Sequence, residues 1–153
     1  MFFGFLFSWV LIGFSGISAP ATEVNKTRLL KLVNEARSKG CHCGDKWYGP
    51  AAAVTWNDAL EKAAKAHSID MEKNRSLQHN SSTGSGPGER IRKAGYNWSL
   101  YGENIAMGFA SEKEVIEGWL SSPGHCSNLM NRTYKEMGVG RSGTYWTQDF
   151  GTR

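Results

Sequence analysis

The chain closes on a run that reads as a β-hairpin. Residues 137–140 (MGVG) and 144–150 (TYWTQDF) are two short strands joined by an Arg141-Ser142-Gly143 turn. What precedes them is mostly helical in period. Leu29, Leu32, Val33 and Ala36 recur at i, i+3, i+4 and i+7, which predicts a helix over 24–38 ended by Gly40. Leu60, Ala63, Ala64, His67 and Met71 form a second stripe, over 58–72, with Asn57 as N-cap and Asp58 in the first turn. A short helix over 88–94 stops at Gly95. Ser111-Glu112-Lys113-Glu114 is a capping box ahead of Val115, Ile116, Trp119 and Leu120. Ser122 then caps a further helix, with Pro123 at its first position. Between these lie three segments without helical period. Residues 40–50 read as a loop, 80–88 (NSSTGSGPG) as a flexible loop, and 102–109 (GENIAMGF) as a loop running into a strand. No repeat is visible. Helices around a small antiparallel sheet place the chain in the α+β class.

The 153 residues suffice for one domain, and 40% hydrophobic content is enough to build a core. The net charge of +4 is spread along the chain with no run of five or six Lys/Arg, so nucleic acid is not an expected partner. The first 22 residues carry no charged side chain, and Ala19-Pro20-Ala21 supplies the small residues of a cleavage site. Residues 1–21 therefore read as a signal peptide, leaving 22–153 as the domain. The rival reading is a retained anchor, but the apolar run is only about 17 residues and is broken by Gly and Ser, short for a bilayer span. Either reading puts the domain outside the cytoplasm. The expectation is a secreted monomer with no membrane contact after cleavage.

An exported domain permits disulfides. Cys41, Cys43 and Cys126 cannot all pair within one chain. The C-x-C spacing is wrong for a zinc knuckle, which also needs four ligands. One disulfide from the 41–43 pair to Cys126 is expected, with either member as partner. His42 reads as an exposed loop residue, and His67 as a core histidine held by a partner such as Asp70. Local sequence leaves His79 undecided. His125 falls at the third position of its helix, where the dipole disfavours imidazolium and keeps the ring in the form that binds metal or accepts a proton. Glu103, between Gly and Asn, is a carboxylate able to turn inward. Two histidines and a carboxylate match a three-ligand zinc set with an open fourth position, although only the fold can gather 79, 103 and 125. The Gly84–Gly88 run lacks the Gly-Lys-Ser/Thr of a phosphate loop, and no nucleophile elbow is present. Cys126 is not paired with His125 as nucleophile and base, because neighbours on a helix point about 100° apart.

The succession HSIDM, LQH, YGENIAMGF, W-x-x-SPGHC-x-N-x-M-N, EMGVG and YWTQDFG resembles the CAP superfamily: cysteine-rich secretory proteins, antigen 5 of venoms and pathogenesis-related proteins, with short secreted bacterial members the nearest in pattern. The resemblance spans about residues 26–151. It implies an α-β-α sandwich with a small antiparallel sheet between helical layers, and a cleft where two histidines meet acidic residues. By motif, His79 matches the first cleft histidine, Glu103 the glutamate of G-E-N, and His125 the histidine of G-H. Many animal members carry a second glutamate after the tryptophan of the preceding helix. Here Trp119 is followed by Leu120-Ser121-Ser122, and Ser122 stands in its place. The resemblance also implies a Cys43–Cys126 disulfide, with Cys41 free or an alternate partner.

Three functions compete. The preferred one is a ligand-binding module whose His/Glu/His cleft takes a metal, a lipid, or an envelope or peptide ligand, with zinc as the cofactor it could hold through His79 and His125. The second is a metal-assisted hydrolase using the same residues, weakened by the missing carboxylate. The third is a polar cluster that only knits two helical layers.

Overall fold

The computed structural model describes residues 23–153. The expected signal peptide, 1–21, lies outside the described residues. The elements in order are α1 (Lys26–Lys39), β1 (Cys41–Cys43), β2 (Lys46–Tyr48), β3 (Thr55–Trp56), α2 (Asp58–Asn74), α3 (Pro87–Lys93), β4 (Leu100–Met107), α4 (Glu112–Ser121), α5 (Pro123–Leu129), β5 (Glu136–Ser142) and β6 (Tyr145–Thr152). The main sheet runs β3-β5-β6-β4, antiparallel except for the short β3–β5 pair.

Strand alternation divides the core into two layers. Met137, Val139, Trp146 and Phe150 point to one face and pack with Leu29 and Val33 of α1, Val115 and Trp119 of α4, and Leu129 of α5. The opposite face receives α2 and α3, whose Leu60, Ala63 and Ile91 form a smaller cluster with Tyr96. The result is the α-β-α sandwich. Gly138 and Gly140 explain how closely α2 lies on β5. A Cβ at either one would run into the α2 backbone, at Glu61 and Lys65 respectively.

Local chemistry set most helix ends. Asn57 Oδ1 accepts from the amides of Ala59 and Leu60, and Ser111 Oγ from that of Glu114. Ser122 does stand at the N-cap of α5, but its side chain makes no capping bond. Two segments depart from the loop expectation. Residues 40–50 contain the β1–β2 hairpin, turned at Gly44 with φ +63°. Residues 102–107 are strand throughout, because β4 pairs along its whole length with β6, Leu100 opposite Thr152 through Met107 opposite Tyr145. Arg37, on the buried side of α1, is fully enclosed and donates to the carbonyls of Ala52 (2.8 Å), Leu129 (2.8 Å) and Asn131 (2.9 Å). It fastens the segment after α5 to the first helix.

Candidate functional site

The site straddles the edge strand β4. Adjacent strand residues face opposite ways, so Glu103 turns to the α2–α3 layer while Asn104 turns to α5. The Glu103 side chain is only 2% exposed. Its Oε2 accepts from the Arg90 guanidinium of α3 at 2.5 Å, and its Oε1 lies 2.7 Å from His79 Nδ1. Arg90 also donates to the His79 carbonyl and to the Ser85 carbonyl, both at 2.8 Å. One side chain therefore fixes the carboxylate, the backbone of its histidine and the loop between α2 and α3. Asp70 braces the same loop by accepting from the Ser82 amide (2.7 Å) and hydroxyl (2.5 Å). The segment 80–88, flexible by composition, is thus pinned from two helices.

On the other side, Asn104 Nδ2 donates to the His125 carbonyl (3.2 Å) and to Gln148 Oε1 (3.1 Å), while Asn104 Oδ1 accepts from Asn128 (3.0 Å). This chain of amides seats α5 on the sheet edge. The Cys43–Cys126 disulfide, with Cα atoms 5.4 Å apart, ties α5 to β1 from the other direction. Between the β1–β2 hairpin and these elements lies a cleft of about 920 Å³, lined by Lys46 and Trp47, by His79 and Glu103, and by Ser122, His125 and Arg132.

His79, Glu103 and His125 thus line one cleft, with His79 and Glu103 hydrogen-bonded to each other and His125 apart from them, and not as a cage. Among the described residues, the one group of three His, Cys, Asp or Glu side chains whose donor atoms gather within 4.8 Å is Cys41, Cys43 and Cys126. Both Glu103 oxygens are occupied by protein donors. The carboxylate orients His79 from behind. The His79 ring nitrogen facing away from Glu103 and the His125 ring make no hydrogen bond among the described residues.

His67 is buried as expected, but Asp70 is not its partner, being taken by Ser82. His67 Nε2 donates to the Gln78 carbonyl at 2.9 Å, which leaves Nδ1 buried with no partner. Sequence reasoning missed Arg90, Asn104 and Asp149. Asp149 faces Glu103 across the β4–β6 ladder, is 1% exposed, and neither of its oxygens has a hydrogen-bond partner. Burial, reinforced by the neighbouring Glu103 charge, pushes its carboxyl well above the ordinary range.

The hydrogen bond to Glu103 raises the His79 pKa, with burial partly opposing it. His125 moves down, through burial first and the nearby His79 charge second. The signs differ in consequence. Stability from His79 is complete below pH 6.5 and is lost as pH rises through its elevated folded value. For His125, stability rises with pH through the window below 6.5. Ring-proton NMR is expected to show His79 titrating above 6.5 and His125 below it. Glu103→Gln should bring His79 back down. A His79 that titrates below His125 contradicts this arrangement.

Comparison with known proteins agrees with this fold. The model of the cysteine-rich secretory protein family, CAP, matches residues 30–150. The chain belongs to the CAP family. This CAP domain is 36% identical over 136 residues to the uncharacterized protein YkwD of Bacillus subtilis, covering 87% of this chain and 49% of that one. It superposes with a TM-score of 0.74 and 30% identity on an extracellular SCP-domain protein from Bacillus anthracis, covering 84% of this chain and 40% of the other. A structure of NaASP2 with Zn2+ shares the fold at TM-score 0.60 and 16% identity, covering 86% and 80% of the two chains. The chain spans about half or less of the length of the first curated relatives it matches. No helix among the described residues is long and apolar enough to cross a membrane.

Proposed function

We propose that this CAP domain is an exported ligand-binding module whose cleft holds a divalent cation through His79 and His125, the cation bridging to an oxygen-bearing ligand. The observation that carries the reading is the Arg90–Glu103–His79 relay. A carboxylate bonded to one ring nitrogen of a histidine directs the other nitrogen outward as a ligand, the common support for metal-bound histidine. The residues fit the group: two histidines line the cleft, one oriented and one with no competing bond. Two protein ligands would leave room for the bound molecule, and the metal would supply Lewis acidity. That NaASP2 has been solved with Zn2+ on the same fold supports the reading, as does the extracellular character of the Bacillus anthracis relative. Ser122, in the cleft where many relatives have a carboxylate, adds no ligand charge. Because Glu103 has both oxygens engaged, no free carboxylate among the described residues lines the cleft to act as a base, and binding is favoured over hydrolysis.

Zinc calorimetry tests this. Wild type is expected to bind one equivalent, more weakly as pH falls and the histidines protonate. His79→Ala and His125→Ala are each expected to lower affinity at least about 100-fold. Glu103→Gln, with ligands intact, should cost about 10–100-fold. No heat with wild type, or binding that survives His125→Ala, refutes the reading.

A further inference from the structure

Away from the cleft histidines, the densest group of reactive side chains is sulfur. Alternation places Cys41 and Cys43 on the same face of β1, the face turned to Cys126. Cys43 is bridged to Cys126, and the Cys41 Sγ stands 3.5 Å from the Cys126 Sγ. All three sulfurs lie within 4.8 Å of one another. With two of them joined, a single thiol remains, too few for a thiolate metal site. The grouping suits exchange instead: two thiol positions of one strand within reach of one partner.

We propose that Cys41, Cys43 and Cys126 form an internal thiol–disulfide exchange site in which Cys126 is bridged alternately to Cys43 and to Cys41. The Cys41 thiolate attacks Cys126 Sγ. The Cys41–Cys126 bond forms as the Cys43–Cys126 bond breaks, and Cys43 leaves as a thiolate that takes up a proton from water, replacing the one Cys41 released. Nothing is oxidised or reduced overall, so no external oxidant is needed.

The three sulfurs make a compact triangle, whereas displacement at sulfur runs along a line. The hairpin must therefore shift for attack, and that shift is also what the product requires. Closing the Cys41 Sγ to Cys126 Sγ gap from 3.5 Å to bonding distance moves β1 against α5 by about 1.5 Å. Lys46 and Trp47, on the other arm of the hairpin, form one wall of the cleft and move with it. The bridge chosen by Cys126 thus sets the position of that wall. Half-burial raises the Cys41 thiol pKa, which keeps the attacking thiolate scarce at neutral pH. Together these place the exchange on the timescale of minutes to hours.

The test is thiol mapping of the oxidised full chain. Samples held at pH 8 are alkylated at intervals with iodoacetamide, quenched in acid, digested and mapped by mass spectrometry. Early samples should carry label on Cys41, later ones a growing share on Cys43 that reaches a plateau, at a rate independent of protein concentration. In Cys43→Ser the bridge should be Cys41–Cys126 in essentially every molecule. Label confined to Cys41 at all times overturns the proposal, as does a rate that grows with concentration, or a Cys43→Ser chain with both remaining thiols free. If that variant does not fold, the wild-type time course decides alone.

Discussion

Arg37→Met is expected to lower the stability of the domain by about 3–5 kcal/mol, read from urea unfolding as a fall in midpoint at unchanged slope. The reason is what the guanidinium satisfies. It is 0% exposed, and its Nε, Nη1 and Nη2 donate to four main-chain carbonyls: those of Ala52, Leu129, Asn131 and, more weakly at 3.4 Å, Tyr134. None of these is a carboxylate, so the charge is held by dipoles alone. Burial lowers its pKa, yet a guanidinium in a protein does not deprotonate. Methionine fills similar volume but leaves the carbonyls buried without donors, each at roughly 1–3 kcal/mol. Arg37→Lys should recover less than half, because a single ammonium cannot span carbonyls arriving from both the 52 and the 129–134 segments. The midpoint should drop by roughly 10–20 °C in thermal unfolding. A loss under about 1 kcal/mol means water reaches those carbonyls, and the anchoring role is wrong.

Arg37 also shows where reading a sequence stops. It sits four residues after Val33, on the stripe that predicts α1, but its charge removed it from any list of core residues. The parts that were legible rest on local chemistry. Asn57 and Ser111 cap because their oxygens reach amides two or three residues on, and the terminal hairpin follows from alternation, although β5 runs on through Arg141 and Ser142 and the turn is Gly143-Thr144, not the expected 141–143. The illegible parts depend on distant partners. The polar Gly102-Glu103-Asn104 run hid the start of β4, because its side chains enter two protein layers and not solvent. Local sequence brought His125 and Glu103 forward as candidates and left His79 undecided, and only the family resemblance placed the three in one cleft. Arg90 offered no signal, standing in a short helix among Arg92 and Lys93 as an apparent surface charge. Its function is visible once the Glu103 carboxylate is seen within reach. The same holds for Asp149, an acid whose raised pKa follows from its depth in the sheet.

Cys126→Ser is expected to cost about 4 kcal/mol and to lower zinc affinity although every proposed ligand is retained. The bridge it removes joins residues 83 apart. The chain-entropy model assigns a loop of that length about 4.5 kcal/mol, an upper figure for the unfolded-state effect. Thermal unfolding should begin roughly 10–20 °C lower, and a reducing agent should do the same to wild type. The second effect is local. Helix α5 has only seven residues, far below the length at which a helix holds itself in water. Its fastenings to its neighbours include the disulfide, the Asn104 bond to the His125 carbonyl and the Asn128 bond to Asn104. With Cys126 gone, the covalent one is lost and the amide chain is left to place His125 opposite His79, and a two-histidine site depends on both positions at once. Cys41→Ser provides the control. It keeps the bridge, removes a thiol that is only half-buried, and should change stability by less than about 1 kcal/mol. Zinc affinity that is unaltered in a destabilised Cys126→Ser protein, measured well below its melting temperature, means that α5 is positioned by packing of Leu129 and the amide chain, and that the disulfide acts on the unfolded chain alone.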